Sequence, residues 1–510
     1  MKKILAYDLG TSGLKTVLFD GDGRAIASTY RPYPTYYPRI GWHEQRPEDW
    51  WKAVVETTRE LMRTTGEDPR DIVCMAISSH SFGVVPVDIG GTLLLDQTML
   101  WSDTRAGEMA PKLLEHVSFD DWYLQTGGNV PGIHPLFKQL WIQKYDPETY
   151  RRADKFLGTK DYINYKLTGI MATDHSYASG TAMYDLRQSC YAQNLMDIVG
   201  LDREKQPQIV PSTSILGTLT SEAAQALGLT KRTVVAAGGV DNSCMALGAR
   251  GIRNGRVYTN LGSSAWIAVT ADKPLLSLKS YPNTFAHVLP GLYNSAVTIF
   301  AACGAYRWLR DAAFTDLLTR EEAGGESCYT GMNRMAEQSP VGANKLLFDP
   351  TLSGGCHIDY SQAAKGSFMG LDIKHTRGDM ARAVLEGVSM KLAAGLDQLR
   401  ALSNVSGEML LVGGGSRGEL WRQILADVYQ MDVFVSAIGQ NAGALGAAAV
   451  AALGCGMWSD CDRIDALHAQ CEYVHPISEN VMKYEKLKVL FDQIAHYNAE
   501  IGERLEQVNL

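Results

Sequence analysis

One short phrase occurs twice in this chain, and it restricts the possible folds more than any other feature. Ile4-Leu5-Ala6-Tyr7-Asp8 leads into Leu9-Gly10-Thr11-Ser12-Gly13 and out through Leu14-Lys15-Thr16-Val17-Leu18-Phe19-Asp20, with Gly21-Asp22-Gly23 closing the unit. About 250 residues later come Val257-Tyr258-Thr259-Asn260, Leu261-Gly262-Ser263-Ser264 and Ala265-Trp266-Ile267-Ala268-Val269. Each copy is an apolar strand, a tight glycine turn and a second strand. A repeat on this scale predicts two related halves, and 510 residues suffice for each half to bury its own core. The expected spans are 1–246, 247–475 and a helical segment 476–510, with the first boundary loosened by Gly248, Gly251 and Gly255.

Between the strand signals lie helical ones. Pro47 to Thr65 opens with proline and acidic residues, as helix starts do. Arg377 to Ala401 carries Met380, Ala383, Val384, Val388 and Leu392 at helical spacing, and Met409 to Tyr429 reads as strand, glycine run and helix. Tyr484 to Leu505 reads as a last helix that packs across the domains or against a second subunit, which would make a homodimer. Alternating strands and helices define an α/β class.

A net charge of −8 and the absence of a basic run interleaved with aromatics argue against a nucleic-acid partner. No apolar stretch approaches the roughly 20 residues of a membrane-spanning helix, and Asp8 ends the apolar run after Lys2 and Lys3 too early for a signal peptide. The expectation is a soluble cytoplasmic protein. Nine cysteines without paired spacing fit reduced thiols. Cys455, Cys461, His468, Cys471 and His475 cluster in sequence, yet their spacings match no zinc knuckle and read as packed or surface residues.

The two glycine turns converge backbone N–H groups on one point, and Thr11, Ser12, Ser263 and Ser264 add hydroxyl donors there. Such nests bind anions. Lys15, two residues past Gly13, could direct a positive charge toward a terminal phosphate. A third glycine run, Gly413-Gly414-Gly415-Ser416-Arg417-Gly418, satisfies three patterns. With Asp432 downstream it is a dinucleotide fingerprint. With Asp460 and His468 it is a nucleophile elbow with Ser416 at its tip. As bare backbone at a helix start it can lie against an adenosine. The few strands left after it count against the first pattern, and the twin phosphate turns against the second. Neither a GxxxxGK[ST] loop nor an HRD or DFG set occurs.

Phosphoryl transfer needs clamped phosphates, a metal and a carboxylate beside the attacking hydroxyl. Asp241, after the apolar run Val235-Ala236-Ala237 and the pair Gly238-Gly239, is the candidate base, and Asp8 the candidate magnesium ligand.

Several phrases together resemble the FGGY family of carbohydrate kinases, its xylulokinases above all. They are Asp8 to Gly13, Gly41-Trp42-His43-Glu44-Gln45-Arg46-Pro47-Glu48-Asp49-Trp50-Trp51, Trp101-Ser102-Asp103-Thr104-Arg105, Lys160-Asp161-Tyr162 with Leu167-Thr168-Gly169, Ala178-Ser179-Gly180-Thr181, Gly238 to Asn242, and Gly413 to Arg417 with Trp421, Gln423, Ala426 and Asp427. The resemblance implies two ribonuclease-H-like domains, as in actin-like ATPases, hinged over a cleft, with sugar in the first and ATP mainly against the second. Asp241 then matches the general base. Thr11, Ser12, Gly13 and Lys15 match the first phosphate loop, Gly262, Ser263 and Ser264 the second, and Gly414, Gly415 and Ser416 the adenosine turn. Ser81, Phe82, Trp101 and Asn242 fall at the sugar. The implied reaction is ATP- and magnesium-dependent phosphorylation of a small sugar or polyol, such as D-xylulose to D-xylulose 5-phosphate. Other ketoses and polyols, among them ribulose, erythritol and glycerol, stay open, as does a nucleotide-driven binding ATPase. This sequence departs from the family at Ser81-Phe82-Gly83, where xylulokinases show Met-His-Gly, and at Cys303, Ser353 to His357 and Asn441.

Overall fold

The computed structural model describes residues 2–508; Met1, Asn509 and Leu510, the ends of the outer expected spans, lie outside them. The first phrase of the repeat forms β1 (Lys3–Leu9) and β2 (Gly13–Asp20), an antiparallel pair, and β3 (Ala25–Pro32) adds to β2. Helix α1 (Pro47–Thr65) has the expected bounds: proline occupies the first turn, Gly66 at φ 66° ends it, and Trp50, Ala53, Val54, Thr57 and Leu61 face inward. Strand β4 (Ile72–Ser79) then runs parallel to β1. After helices α2 (Pro135–Tyr145), α3 (Thr159–Thr168) and α4 (His175–Ser179), the sheet is completed by β5 (Ile215–Thr218), β6 (Val234–Ala236) and the short β7 (Gly239–Val240). Its order is β5-β6-β4-β1-β2-β3, with β7 alongside β4.

Helix α5 (Asp241–Gly248) leads to the second half. There β8 (Val257–Leu261) and β9 (Ala265–Ala271) form the second copy of the hairpin, with β10 (Asn283–Ala286) and β11 (Tyr293–Ile299) beyond β9. Helices α6 (Cys303–Ala313), α7 (Cys328–Glu337) and α8 (Arg377–Arg400) precede β12 (Glu408–Val412), and α9 (Glu419–Tyr429) precedes β13 (Asp432–Ser436). Helix α10 (Ala442–Gly454), edge strand β14 (Cys471–Val474) and the long α11 (Ser478–Glu506) finish the chain. From β11 onward the order β10-β11-β9-β8-β12-β13-β14 repeats the plan of the first sheet: three antiparallel strands, two further strands parallel to the last of these, and an antiparallel edge, with β10 added antiparallel to β11.

Side chains alternate faces along each strand, so each sheet supports two cores. Leu5, Tyr7 and Leu9 pack with α1 and α3, while Ile4 and Ala6 pack with α10. In the second sheet Leu411 and Val433 pack with α8 and α9, while Tyr258, Leu410 and Val412 pack with Ala246 of α5 and with Ala249 just after it. The two central helices are therefore exchanged. Helix α10 belongs to the second half by chain order and lies on the first sheet; α5 belongs to the first half and lies on the second.

They cross where side chains are missing. A Cβ on Gly446 would stand 1.8 Å from the Cys244 carbonyl oxygen, and one on Gly248 1.9 Å from that of Ala442. Helix α10, with no charged residue and buried residues on every side, is the apolar centre of the molecule. No helix among the described residues is long and apolar enough to cross a membrane. Gly446→Ala should therefore destabilise the fold by about 1–3 kcal/mol through overpacking. Urea unfolding is the check: the expected result is a lower midpoint with an unchanged slope.

Candidate active site

Strand register brings the two aspartates to one edge. Asp8 of β1 lies opposite Lys15 of β2 and Ser78 of β4, and Gly239 of β7 lies on the other side of Ser78. Two strand spacings, about 10 Å, thus separate the Asp8 and Gly239 backbones. Asp241 follows as the first residue of α5. Both carboxylates sit where β1, β4 and β7 end, the usual site edge of such sheets.

Asp8 accepts a hydrogen bond from Ser78 Oγ at 3.0 Å. Burial raises its pKa, against the pull of Ser78 and Lys15. Gly443 in the first turn of α10 stands over it, at a distance where a Cβ would come within 3.0 Å of Oδ2. Asp241 accepts from the Asn242 backbone N–H at 2.7 Å. Burial pushes its carboxyl up to about 7, and the charge of Asp8 pushes the same way.

The first glycine turn is fastened from three sides. Gln45 Nε2 donates to the Thr11 carbonyl at 2.7 Å, Tyr33 donates to that of Gly10, and Trp101 Nε1 donates to Thr11 Oγ1 at 2.9 Å. Ser12 points to solvent, and Lys15 Nζ reaches the Gln440 carbonyl across the cleft at 3.3 Å. Trp101, 41% exposed, thus joins the expected sugar side to the phosphate turn.

Gly262 and Ser263 of the second turn line a cavity of about 580 Å³, with Arg307 Nη2 at 3.4 Å from Ser263 Oγ, while Ser264 lies outside its lining. Tyr306, Tyr329, Asn333, Gly414, Gly415 and Trp421 form its walls. Gly414 and Gly415 offer bare backbone, whereas Ser416 turns inward and donates to the Gly413 carbonyl at 2.8 Å. The nucleophile-elbow pattern is not built: His468 lies elsewhere, between Ser436 Oγ and the Gly248 carbonyl, at 2.8 Å from each. The dinucleotide pattern lacks its sheet, because one parallel and one antiparallel strand follow the glycines. Cys303 packs against Gly415, and Asn441 stands at the N-cap position of α10 without a side-chain capping hydrogen bond. Among the described residues no group of three or more His, Cys, Asp or Glu could hold a metal ion, and His475 of the C-terminal cluster pairs with Asp432.

At the sugar side Ser81 is half-exposed, while the Phe82 ring is 6% exposed, 4.5 Å from the His134 ring and 6.0 Å from that of Phe285. Phe82 adopts φ 63°, a left-handed conformation rare for a bulky side chain. Its carbonyl accepts from the buried Lys138 Nζ at 2.9 Å, which also donates to the Leu100 carbonyl at 2.5 Å. Lys138 is a residue that sequence reasoning missed. It ties the Phe82 loop to the Trp101 loop, and burial brings its pKa down to about 7. Arg105 stands out in the sequence only as part of a phrase; it pairs with Glu44 and Asp103 at 2.6 Å and lies over the Trp42 ring. Its phrase and the one from Gly41 to Trp51 thus prove to be one buttress beneath Trp101.

This twofold α/β scaffold, with a glycine turn in each half, is that of a phosphotransferase. The chain belongs to the FGGY family of carbohydrate kinases, matching the family's N-terminal domain over residues 3–248 and its C-terminal domain over 257–455. The xylulose kinase of Escherichia coli is 31% identical over 88% of this chain and 89% of its own. The solved xylulose kinase of Lactobacillus acidophilus superposes with a TM-score of 0.90 at 26% identity, covering 99% of this chain and 100% of its own. The gluconate kinase of the same organism superposes with 0.89 at 26%, covering 99% of each chain.

Because the fold holds Asp241 above the ordinary carboxylate range, ionising it opposes folding. This group's contribution to stability is complete below about pH 4 and is lost as pH rises through about 7. Asp241→Asn should therefore melt above the wild type at pH 8, and the difference should close on acidification. Calorimetry from pH 4 to 8 checks this; a constant difference would mean that the carboxyl titrates normally.

Proposed function

We propose that this protein transfers the γ-phosphoryl group of ATP to a hydroxyl of a small sugar, D-xylulose before others, with Asp241 as the general base. The observation that carries the reading is Asp241 itself. It is a carboxylate directly after a strand, with a pKa pushed up to about 7 by burial and by the charge of Asp8. A base near neutrality is half free of protons at working pH and still basic enough to take one.

In the proposed reaction the acceptor O–H gives its proton to Asp241. Its oxygen forms the new bond to the γ-phosphorus as the bond to the ADP oxygen breaks. Thr11, Ser12, Gly13 and Lys15 from one half and Gly262, Ser263 and Ser264 from the other clamp the phosphates between them. Gly414 and Gly415 bound the 580 Å³ cavity in which the nucleoside would lie, and Ser416 holds their turn in shape. Asp8 is half-exposed with one oxygen bonded to Ser78, a donor suited to Mg²⁺, which takes few protein carboxylates. When bound, such an ion would neutralise phosphate charge. Trp101 and Asn242 border the acceptor with Ser81 and the Phe82 backbone, and closure of the halves would exclude water as a competing acceptor.

D-xylulose rests on the Escherichia coli relative, and D-gluconate is favoured by the equally good superposition of the gluconate kinase. The apolar ring of Phe82, standing where a histidine reads the sugar in xylulokinases, leaves acceptor choice to Ser81 and the neighbouring backbone. The test is ADP release with Mg²⁺ and ATP against D-xylulose, D-gluconate, D-ribulose, erythritol and glycerol. The expected outcome is strong stimulation by one acceptor, with kcat lowered about 10²–10⁴-fold in Asp241→Ala. Preference for D-gluconate would correct the acceptor alone. Turnover indifferent to every acceptor, or to the substitution, would sink the reading.

The same assay gives a second expectation. Below about pH 7, kcat/KM should fall tenfold per pH unit as Asp241 takes up its proton. A flat profile from pH 5 to 8 would exclude it as the base.

A further inference from the structure

Two of the sequence phrases, Lys160 to Tyr162 and Ala178 to Thr181, have so far no chemistry attached to them. Between them lies a buried chain of polar groups that ends one residue short of Asp241. Lys160, fully buried, pairs with Asp161 at 2.5 Å and with Asp174 Oδ1 at 2.8 Å. Burial works against its charge, yet the two carboxylates hold its pKa above the ordinary lysine value. Asp174 Oδ2 accepts from Ser176 Oγ at 2.5 Å. A serine hydroxyl has one proton, so the lone pairs of Ser176 are left to accept, and the Val240 backbone N–H donates to them at 3.0 Å. Val240 is the cap residue of α5, and Asp241 is the next residue.

We infer that Ser176 is a positioning residue for the base. The Lys160–Asp174 pair fixes its hydroxyl, and the hydroxyl fixes the backbone from which the Asp241 carboxyl enters the cleft. This rests on Asp241 being the base. Released from that anchor, the carboxyl would swing toward water, lose part of the burial that raises its pKa, and stand off the line of attack.

The structure supplies a matched control. Ser212 Oγ donates to the same Asp174 oxygen at 2.6 Å and is 3% exposed, but its hydroxyl does not reach Val240. Ser176→Ala and Ser212→Ala each remove one buried hydrogen bond from Asp174, and only the first frees Val240.

The first measurement uses no ligand. The rise in melting temperature that Asp241→Asn produces at pH 8 is compared in the wild-type, Ser176→Ala and Ser212→Ala backgrounds. It should shrink with Ser176→Ala and stay at the wild-type value with Ser212→Ala. The second measures kcat and its acid limb with D-xylulose, or D-gluconate if that is the better acceptor. Ser176→Ala should lower kcat about 10–100-fold and move the limb to lower pH with the KM for ATP unchanged, and Ser212→Ala should do neither. If Ser176→Ala does not fold, Ser176→Cys, whose thiol is a weak partner, should show the same changes in smaller measure. Equal effects of the two alanine variants, or an unmoved difference and limb in the Ser176 variants, would overturn the inference. An active Asp241→Asn would instead overturn the assignment of the base, while the thermal comparison would still report whether Ser176 holds the carboxyl.

Discussion

Everything in this molecule hangs on the crossing of α5 and α10. Each helix lies on the sheet of the other half, and they approach so closely at Gly248 and Gly446 that no side chain fits between backbones. The crossing also aims both helices at the cleft by their N-terminal ends: α5 begins at Asp241 and α10 sets Gly443 above Asp8. Helix N-termini carry unpaired N–H groups and the positive end of the dipole, which favours carboxylates and phosphates. One packing contact therefore holds the two halves together and sets the field in which their acidic groups work. His468 reinforces it by linking the last residue of α5 to β13.

The twofold plan assigns matching places to different tasks. The β1–β2 and β8–β9 turns are equivalent by strand order. The segments after β4 and β12 are equivalent too: Ser81-Phe82-Gly83 follows the first strand and Gly413-Gly414-Gly415 the second. Positive φ occurs in both segments but at different places, 63° at Phe82, three residues past β4, and 88° at Gly413, directly after β12. In the second half glycine adopts it freely and leads into Gly414 and Gly415, whose backbone borders the cavity. In the first half a bulky residue adopts it, held by Lys138 on its carbonyl and by aromatic packing on its ring. An equivalent place in the repeat thus borders an open cavity in one half and holds a packed aromatic ring in the other.

The polar groups follow a similar division. Asp8 and Asp241 are held with raised pKa values at some cost to stability, while Lys160, Arg105 and Gln45 behind them are paired. Lys160 has two carboxylate partners, Arg105 has two and an aromatic face, and Gln45 spans Thr11 and Thr35. Ionic groups buried in pairs add little net stability but cost several kcal/mol to break singly. They suit a scaffold that must keep a few reactive groups in place.

Much was legible in the sequence because it is written locally. Strand, turn and strand in two copies, α1 with its proline start, and the apolar spacing of α8 follow from neighbours along the chain. Asp241 stood out for the strand and glycine pair before it. Three patterns in Gly413 to Gly418 could not be separated locally, because they differ only in what lies across space: the strands that follow, the seat of His468, the direction of Ser416. Lys138, Gly443 and Ser176 gave no local sign, since each acts on a residue at least 56 positions away, through contacts that exist once the sheets are formed. The sequence by itself determined the elements and the residue types available for chemistry. The tertiary structure alone decided which of them meet, because register across β1, β4 and β7 and the glycine crossing of α5 with α10 are long-range contacts that no local pattern encodes.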